Sequence, residues 1–220
     1  DTKYFNLSSV SEIRKQNFIS DLAISENTHL ILLPARLTFW KGHRTAIDAA
    51  KIIKNKNPNL NFLIVFVGGQ DEKKKTFITL KKYIKSNNLE NNVIFSGNIS
   101  DMPAIYSIAD IVLSTSIEPE AFGRVSAEAS SMTKPIISTN HGGSREIIED
   151  NMTGWLIEPG NSEMLAEKIM YVLGLPQEKK DLIGNNARRR VIEKFSLEQM
   201  LKKKISIYEE LIERKKNTHH

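Results

Sequence analysis

The sequence predicts an α/β fold in which helices cover both faces of a doubly wound, parallel sheet. Short apolar runs rich in β-branched residues alternate along the chain with longer segments of helical periodicity. Runs that are apolar throughout are typical of strands buried on both faces, as in parallel sheets. The repeated order of strand and helix favours a Rossmann-like domain.

The elements follow one another without a linker, so residues 1–220 are expected to form a single domain. The predicted strands are Leu30–Ala35, Phe62–Gly68, Val93–Ser96, Ile111–Ser114, Pro135–Thr139 and Gly154–Ile157. The helices expected in the core, about 28–174, are Arg44–Lys56, Lys73–Ser86, Met102–Ala109, Arg124–Ser131, Ser144–Asp150 and Ser162–Leu173. A short leading helix is expected over Ser8–Leu22, and two helices at the end over Gln177–Lys194 and Leu197–Arg214, the last one capped by Ser196.

Composition excludes several classes of protein. The 220 residues are 40% hydrophobic and include no cysteine, so one core is possible but a disulfide framework or cysteine-built zinc site is not. The absence of cysteine fits a cytoplasmic location, and no apolar run is long enough to span a bilayer.

The net charge is +5, but basic clusters such as Arg188–Arg190 lie in helical segments and are interpreted as solvated faces rather than a nucleic-acid interface. Without an initiator methionine or signal peptide, Asp1 is expected to lie within a longer protein.

Candidate functional residues lie in the loops after the strands, because ligands of such folds bind outside the carboxyl ends of the strands. The first loop contains Arg36 and Lys41-Gly42, two cations at a helix entrance that suit an anion. The alternative is that Arg36 and Lys41 are ordinary surface residues. Arg36 follows a strongly apolar strand, however, and we expect its charged side chain to need a partner there. The loop after Phe95-Ser96 contains Gly97 and Asn98, where a flat base could approach the backbone, although a plain turn fits equally well.

The third loop is the most informative, because Glu120 and Glu128 are separated by seven residues that include Phe122-Gly123. Glu120 is expected in the loop and Glu128 within the following helix. The backbone N–H groups of residues 121–124 would point out of the helix start, where a phosphate or sugar oxygen could accept them. The alternative is structural: Glu120 interacts with the helix dipole, and Glu128 pairs with Arg124 one turn earlier.

A fourth loop, His141-Gly142-Gly143-Ser144-Arg145-Glu146, follows the strand that begins at Pro135. Paired glycines leave room for a ligand, and Ser144 is expected to cap the helix that contains Glu146. A purely structural turn from strand to helix explains the same residues.

These four loops, in this order and spacing, resemble the carboxyl-terminal domain of GT-B glycosyltransferases of family 4, also called group 1. The matching signatures are Arg36 with Lys41-Gly42, then Glu120, Phe122-Gly123 and Glu128, then Gly142-Gly143-Ser144-Arg145-Glu146. Segments 1–5 and 151–157 are similar as well. One departure is Pro119, which precedes the first motif glutamate, whereas many relatives carry Pro or Gly after it. This leaves Glu118 as a second candidate for contact with the sugar.

The resemblance implies a retaining transferase that moves a hexose-type sugar from a nucleoside diphosphate to an acceptor. Arg36 and Lys41 would bind the diphosphate, and Glu120 with the amides of Ala121, Phe122 and Gly123 would orient the sugar. Glu128 would hold the ribose, and Gly97 with Asn98 would contact the base. The resemblance implies no cofactor and no metal.

The resemblance also implies a partner, an amino-terminal domain outside this chain that binds the acceptor and receives the last helix. The full enzyme would be cytoplasmic with possible peripheral membrane contact. The base, the sugar and the acceptor stay open. A nucleotide-sugar epimerase of the same architecture and a non-catalytic nucleotide-binding module are the alternatives. A dinucleotide-dependent oxidoreductase is disfavoured because no Gly-x-Gly-x-x-Gly follows the first strand.

Overall fold

A computed structural model describes residues 1–69 and 74–217 of the chain. Six parallel strands form one sheet: β1 (His29–Pro34), β2 (Phe62–Val67), β3 (Val93–Gly97), β4 (Ile111–Ser114), β5 (Ile136–Thr139) and β6 (Trp155–Ile157). Their order across the sheet is β3-β2-β1-β4-β5-β6. The chain therefore winds outward from β1 in one direction and from β4 in the other, as the alternating pattern predicted.

The helices are α1 (Glu12–Asp21), α2 (His43–Lys56), α3 (Lys75–Ser86), α4 (Met102–Ile108), α5 (Arg124–Ser131), α6 (Gly142–Ile147), α7 (Ser162–Leu173), α8 (Gln177–Phe195) and α9 (Leu197–Asn217). Short 3₁₀ turns at Leu7–Ser9 and Phe39–Lys41 complete the described elements. None of the helices in the described ranges is both long and apolar enough to cross a membrane.

The sheet separates two apolar cores. On one face, side chains of β1 and β2 such as Ile31 and Phe66 pack against α2, α3 and α7. On the other face, Leu32 and Val65 pack with α4, α5, α8 and the leading segment. Because successive residues of a strand point to opposite faces, a strand that is apolar throughout supplies both cores at once.

Most of the predicted elements are confirmed with boundary shifts of one or two residues. The predicted helix Lys73–Ser86 begins at Lys75, and Lys73 itself lies outside the described residues. The leading helix is wrong in extent, because Ser8–Leu22 divides into a 3₁₀ turn and α1 with extended backbone at Val10 and Ser11 between them.

The helix predicted over Ser144–Asp150 is wrong at both ends. It begins at Gly142, so Ser144 lies inside it and caps nothing, and Ile148 already has extended backbone. Gly142 and Gly143 allow the earlier start, because a Cβ atom there would lie within 2.4 Å of a backbone oxygen of Glu120 or Phe122. Asp150 instead accepts a hydrogen bond from the Leu156 amide, 2.9 Å away, beside β6.

The basic cluster Arg188–Arg190 is only partly the solvated face that was predicted. Arg189 is exposed, but Arg188 donates to the carbonyls of Phe5 and Ser131, and Arg190 donates to the carbonyl of Ile147 at 2.8 Å. These guanidinium groups join α8 to the leading segment and to the end of α6. The prediction failed because a single sequence does not show which carbonyls a long side chain can reach.

Candidate functional site

The strand order places the candidate site between β1 and β4. These two strands are neighbours, and the chain leaves them toward opposite edges of the sheet. Loops that diverge from adjacent strands open a crevice at the carboxyl end of the sheet, which is where such folds bind ligands. The loop after β1 contains Lys41, and the loop after β4 contains Glu120.

Backbone contacts hold these two loops together. Thr115 Oγ donates to the carbonyl of Lys41 at 3.1 Å, and the Ile117 amide donates to the carbonyl of Trp40 at 2.7 Å. Gly42 lies against Thr115 so closely that a Cβ atom would be 1.8 Å from the Thr115 carbonyl oxygen, and its φ is +72°. The site therefore needs glycine at this position both for space and for the left-handed backbone.

Lys41 and Glu120 form an ion pair across the crevice. Their Nζ and Oε1 atoms are 2.7 Å apart, and the two side chains are only 12% and 17% exposed. The hydroxyl of Ser116 donates to the same carboxylate oxygen. The second oxygen, Oε2, has no hydrogen-bond partner among the described residues, so it is free to accept one from a ligand hydroxyl.

The start of α5 adds a cluster of free amides. Gly123 precedes the helix in left-handed conformation, with φ of +81°, and no side chain caps the first turn. Within the described part of the chain, the N–H groups of Ala121, Phe122 and Gly123 find no acceptor. Unpaired N–H groups at a helix start carry partial positive charge and favour an anion.

The loop after β5 supports Glu120 from behind. The Gly143 amide donates to the Glu120 carbonyl at 2.8 Å, and His141 Nε2 lies 2.8 Å from the Ser116 carbonyl oxygen. A carbonyl only accepts, so Nε2 must bear a proton. The other ring nitrogen, Nδ1, is buried and has no hydrogen-bond partner among the described residues.

Glu128 lies in a different environment, in the second turn of α5. It accepts a hydrogen bond from the hydroxyl of the buried Tyr106 at 3.0 Å. Burial raises the pKa of the Glu128 carboxyl, while Tyr106 and then Arg124 oppose that shift. Glu128 borders a cleft of about 140 Å³ that Phe122 and Arg124 also line. The ion pair with Arg124, which was the structural alternative for Glu128, does not form, and the carboxylate accepts from Tyr106 on α4 instead.

The remaining predicted residues lie at the same edge of the sheet but apart from the ion pair. Gly97 ends β3 with φ of +75°, and Asn98 follows it as an exposed residue. Arg36 is exposed and lines a cleft of about 250 Å³ with Gly69 and Phe77. It contacts no polar partner in the described ranges, so the expectation that it needs one is wrong, because its guanidinium projects into solvent rather than into the core.

The sequence as a whole matches one family. The sequence model of the glycosyl transferases group 1 family covers residues 14–190, which include every predicted site residue. The chain belongs to this family. This family is one of transferases rather than epimerases.

Solved structures of other glycosyltransferases share the GT-B fold of this family. The chain is 36% identical to a glycosyltransferase from Rickettsia africae, with a TM-score of 0.91 over 96% of this chain and 55% of that one. It is 28% identical to HepE of Anabaena, solved with UDP-glucose, with a TM-score of 0.81 over 94% of this chain and 55% of that one. It is also 28% identical to the C-terminal domain of the group 1 protein LpcC from Francisella tularensis, with a TM-score of 0.73 over 90% of this chain and 98% of that one.

The chain is shorter than the curated relatives. The chain spans about half the length of the curated relatives it matches first, at 28–29% identity. Within the described ranges, no cluster of three or more histidine, aspartate or glutamate side chains could hold a metal ion.

Sequence reasoning assigned no role to three residues that support the candidate site: Ser116, His141 and Tyr106. Ser116 and His141 each lie two residues after the end of a strand, β4 and β5, and this position was the available signal. Tyr106 gave no such signal in the sequence. It lies in the middle of α4 and contacts Glu128 only because α4 and α5 pack on the same face of the sheet.

Proposed function

We propose that this chain is the donor-binding half of a retaining glycosyltransferase that takes a hexose-type sugar from a nucleoside diphosphate sugar. The observation that carries the proposal is the Lys41–Glu120 pair beside the uncapped start of α5. A lysine and free amides suit a diphosphate, and a carboxylate with one free oxygen suits a sugar hydroxyl.

In the proposed reaction, the bond between the anomeric carbon of the sugar and the diphosphate oxygen breaks, and a new bond forms from the acceptor to the same carbon. Negative charge grows on the leaving diphosphate, which also takes up the proton that the acceptor loses. The amides of Ala121, Phe122 and Gly123, together with Lys41, stabilise this charge without reorganising. Glu120 keeps Lys41 in place through Oε1 and orients the sugar through Oε2. Arg36 is assigned to the diphosphate as well, and its exposed side chain must turn from its cleft toward the phosphates.

Glu128 is assigned to the ribose hydroxyls, and the backbone at Gly97 and Asn98 to the base. A carboxylate that already accepts from Tyr106 is fixed in orientation and can accept further hydrogen bonds from vicinal hydroxyls. The Anabaena neighbour was solved with UDP-glucose, so UDP is the first nucleotide to test. Glu118 is exposed and has no polar partner among the described residues, which leaves Glu120 as the better candidate for the sugar.

Binding is tested by calorimetry with UDP and GDP, each compared with its nucleoside. We expect a diphosphate to bind more tightly than its nucleoside, and Lys41→Ala to remove most of that difference. Lys82→Ala, an exposed lysine on α3, is the matched control and should leave it unchanged. Equal affinity for diphosphate and nucleoside would refute the phosphate assignment.

We also propose that binding is independent of divalent metal, since Arg36, Lys41 and the amides of α5 supply the positive charge that a metal would otherwise bring. Adding Mg²⁺ or Mn²⁺ should leave the affinity for UDP unchanged beyond the effect of the metal on UDP itself. Retention is proposed from the family resemblance and is tested by NMR of the anomeric configuration of the product in the longer protein.

The proposed partner of this chain is an acceptor-binding domain in a longer protein. Helix α9 supports this, because Leu197, Leu201, Ile205, Tyr208 and Ile212 follow helical spacing along one face and are 48–64% exposed. An apolar stripe of this length is unfavourable in water and is stabilised when another surface covers it. A peripheral membrane is the second surface that we consider for the full enzyme.

Hydrogen exchange tests what covers α9. In a longer protein that includes the second domain, the backbone amides of α9 should exchange more slowly than they do in this chain alone. Tyr208→Asp should restore fast exchange, whereas Lys203→Asp, on the opposite side of the helix, should not. Equal exchange in both proteins, with protection appearing only on anionic vesicles, would favour the membrane instead.

A further inference from the structure

The loop after β5 reaches the candidate site through a residue that has no role in the function proposed above. His141 is the residue before α6, a position from which side chains often cap a helix, but its ring forms no cap. The ring is half-buried and points instead to the loop after β4, where Nε2 lies 2.8 Å from the carbonyl oxygen of Ser116. A carbonyl oxygen only accepts, so the ring donates to it.

The peptide group that His141 contacts is held from its other side as well. Its N–H belongs to Ile117 and donates to the carbonyl of Trp40, in the loop after β1, at 2.7 Å. Because a peptide group is planar, a hydrogen bond at each of its ends fixes the orientation of the whole unit. One peptide group of the loop after β4 is therefore held between the loops after β1 and β5.

The orientation of this peptide group determines where Ser116 directs its hydroxyl. Ser116 is 2% exposed, and its Oγ donates to Oε1 of Glu120, the oxygen that also pairs with Lys41 at 2.7 Å. The loop after β5 holds Glu120 directly too, since the Gly143 amide donates to its carbonyl at 2.8 Å. Both the backbone and the carboxylate of Glu120 thus depend on this loop, the carboxylate through His141 and Ser116.

The backbone around His141 is fixed in place. Its amide donates to the carbonyl of Thr139 at 2.9 Å, and a Cβ atom on the neighbouring Gly142 would lie 2.4 Å from the carbonyl oxygen of Glu120. Since Nδ1 has no partner within the described ranges, the ring forms a single hydrogen bond there, to Ser116. That hydrogen bond joins two loops of the site and contributes nothing to the helix that follows.

We propose that His141 is a positioning residue for Glu120, acting through the peptide group and the hydroxyl of Ser116. This inference rests on the proposed function, in which Glu120 orients the sugar, and adds a residue that does not touch the donor. Without the hydrogen bond from His141, the Ser116 hydroxyl turns away and Glu120 loses its alignment with the reacting sugar. A loss of alignment lowers kcat more than it raises KM.

Steady-state kinetics in the longer, two-domain protein tests this role. His141→Leu should lower kcat about tenfold with KM nearly unchanged, the loss that corresponds to one hydrogen bond. His141→Gln supplies an amide N–H in place of the ring N–H and should restore most of kcat. His29→Leu, at the first residue of β1 and so at the opposite end of the strands, is the matched control and should leave kcat unchanged. Equal losses of kcat in His141→Leu and His141→Gln would overturn the inference.

A double variant shows whether His141 acts through Ser116. Ser116→Ala removes the hydroxyl and should by itself lower kcat about tenfold. Adding His141→Leu should then lower kcat little further, because substitutions in one hydrogen-bonded unit are not additive. A full product of the two losses, about a hundredfold, would show two separate routes to Glu120 and overturn the inference.

Hydrogen exchange in the chain alone separates this inference from the function on which it rests. The Ile117 amide should exchange faster in His141→Leu and recover in His141→Gln, while the Val112 amide, bonded to Pro135 within the sheet, stays unchanged. Unchanged exchange at Ile117 would overturn the inference whatever the donor. If Ile117 responds and Glu120→Gln lowers kcat but His141→Leu does not, His141 is purely structural and the donor site stands. If Glu120→Gln keeps its full kcat, the assignment of Glu120 itself is refuted.

Discussion

Glu120 and Glu128 belong to one motif, yet the fold holds them in opposite ways. Glu120 lies in a loop, and its position depends on Ser116 of the same loop and on Lys41 and the Gly143 amide of two other loops. Glu128 lies in a helix, is partly buried, and depends on a single hydroxyl from Tyr106. The Glu120 carboxylate, held in a loop by an ion pair, is suited to a ligand group whose charge changes during the reaction. The partly buried Glu128 carboxylate, fixed in a helix, is suited to a ligand group whose charge stays the same.

The largest effect is expected from Gly42→Ala, which tests whether Glu120 depends on the junction between loops. Its Cβ atom would collide with the Thr115 carbonyl, so we expect a loss of about 3 kcal/mol in the free energy of unfolding. Gly160→Ala is the matched control, because Gly160 has nearly the same φ, +75°, but nothing within 4 Å. It should cost only about 1 kcal/mol, the strain of a left-handed alanine.

Urea denaturation measures both variants. At temperatures where Gly42→Ala is folded, it should lose the preference for UDP over uridine, because Lys41 and Glu120 are displaced, while uridine binding at Glu128 persists. Equal destabilisation by the two substitutions would show that the loops are not locked together at Gly42.

The next effect separates binding from catalysis at Glu120 in the longer, two-domain protein. Glu120→Gln should lower kcat about a hundredfold, the scale of losing one preorganised electrostatic group, with little change in KM. Glu118→Gln changes an adjacent exposed carboxylate and should have no effect. Steady-state kinetics decides this, and a change in KM alone for Glu120→Gln would transfer the sugar assignment to Glu118.

Glu128→Gln should act in the opposite way, raising KM about tenfold with kcat nearly unchanged, as expected for a group that binds ground state and transition state alike. Calorimetry on the chain alone should show the same loss for UDP and for uridine, because the ribose is common to both. A loss confined to UDP would place Glu128 at the phosphates and remove the contrast with Glu120.

The smallest effect concerns pH. Because the pKa of Glu128 is raised above the usual value of 4.5, its carboxylate is protonated at a higher pH than an ordinary glutamate. Affinity for UDP should therefore fall by a few-fold as the pH is lowered through that raised pKa, since a protonated carboxyl accepts fewer hydroxyl groups. Glu128→Gln serves as the control, because UDP itself titrates equally in both proteins. Parallel pH profiles would show that Glu128 does not contact the nucleotide.

The sequence by itself determined the strand and helix order, the parallel sheet and the edge at which the site lies. Apolar periodicity is local, and the carboxyl ends of parallel strands necessarily share one edge. The start of α6 could not be predicted from the sequence. Ser144 is a residue type that often caps helices, but the helix begins two residues earlier, at Gly142, which lies close to Glu120.

Only the tertiary structure decided which polar groups meet. It paired Lys41 with Glu120, gave Glu128 to Tyr106 instead of Arg124, left Arg36 exposed, and buried His43 against Phe66. Each of these outcomes depends on how elements far apart in the chain pack together and on which face of the sheet a helix covers. Residue type and spacing predict that a side chain is polar and near the site, and packing alone fixes its partner.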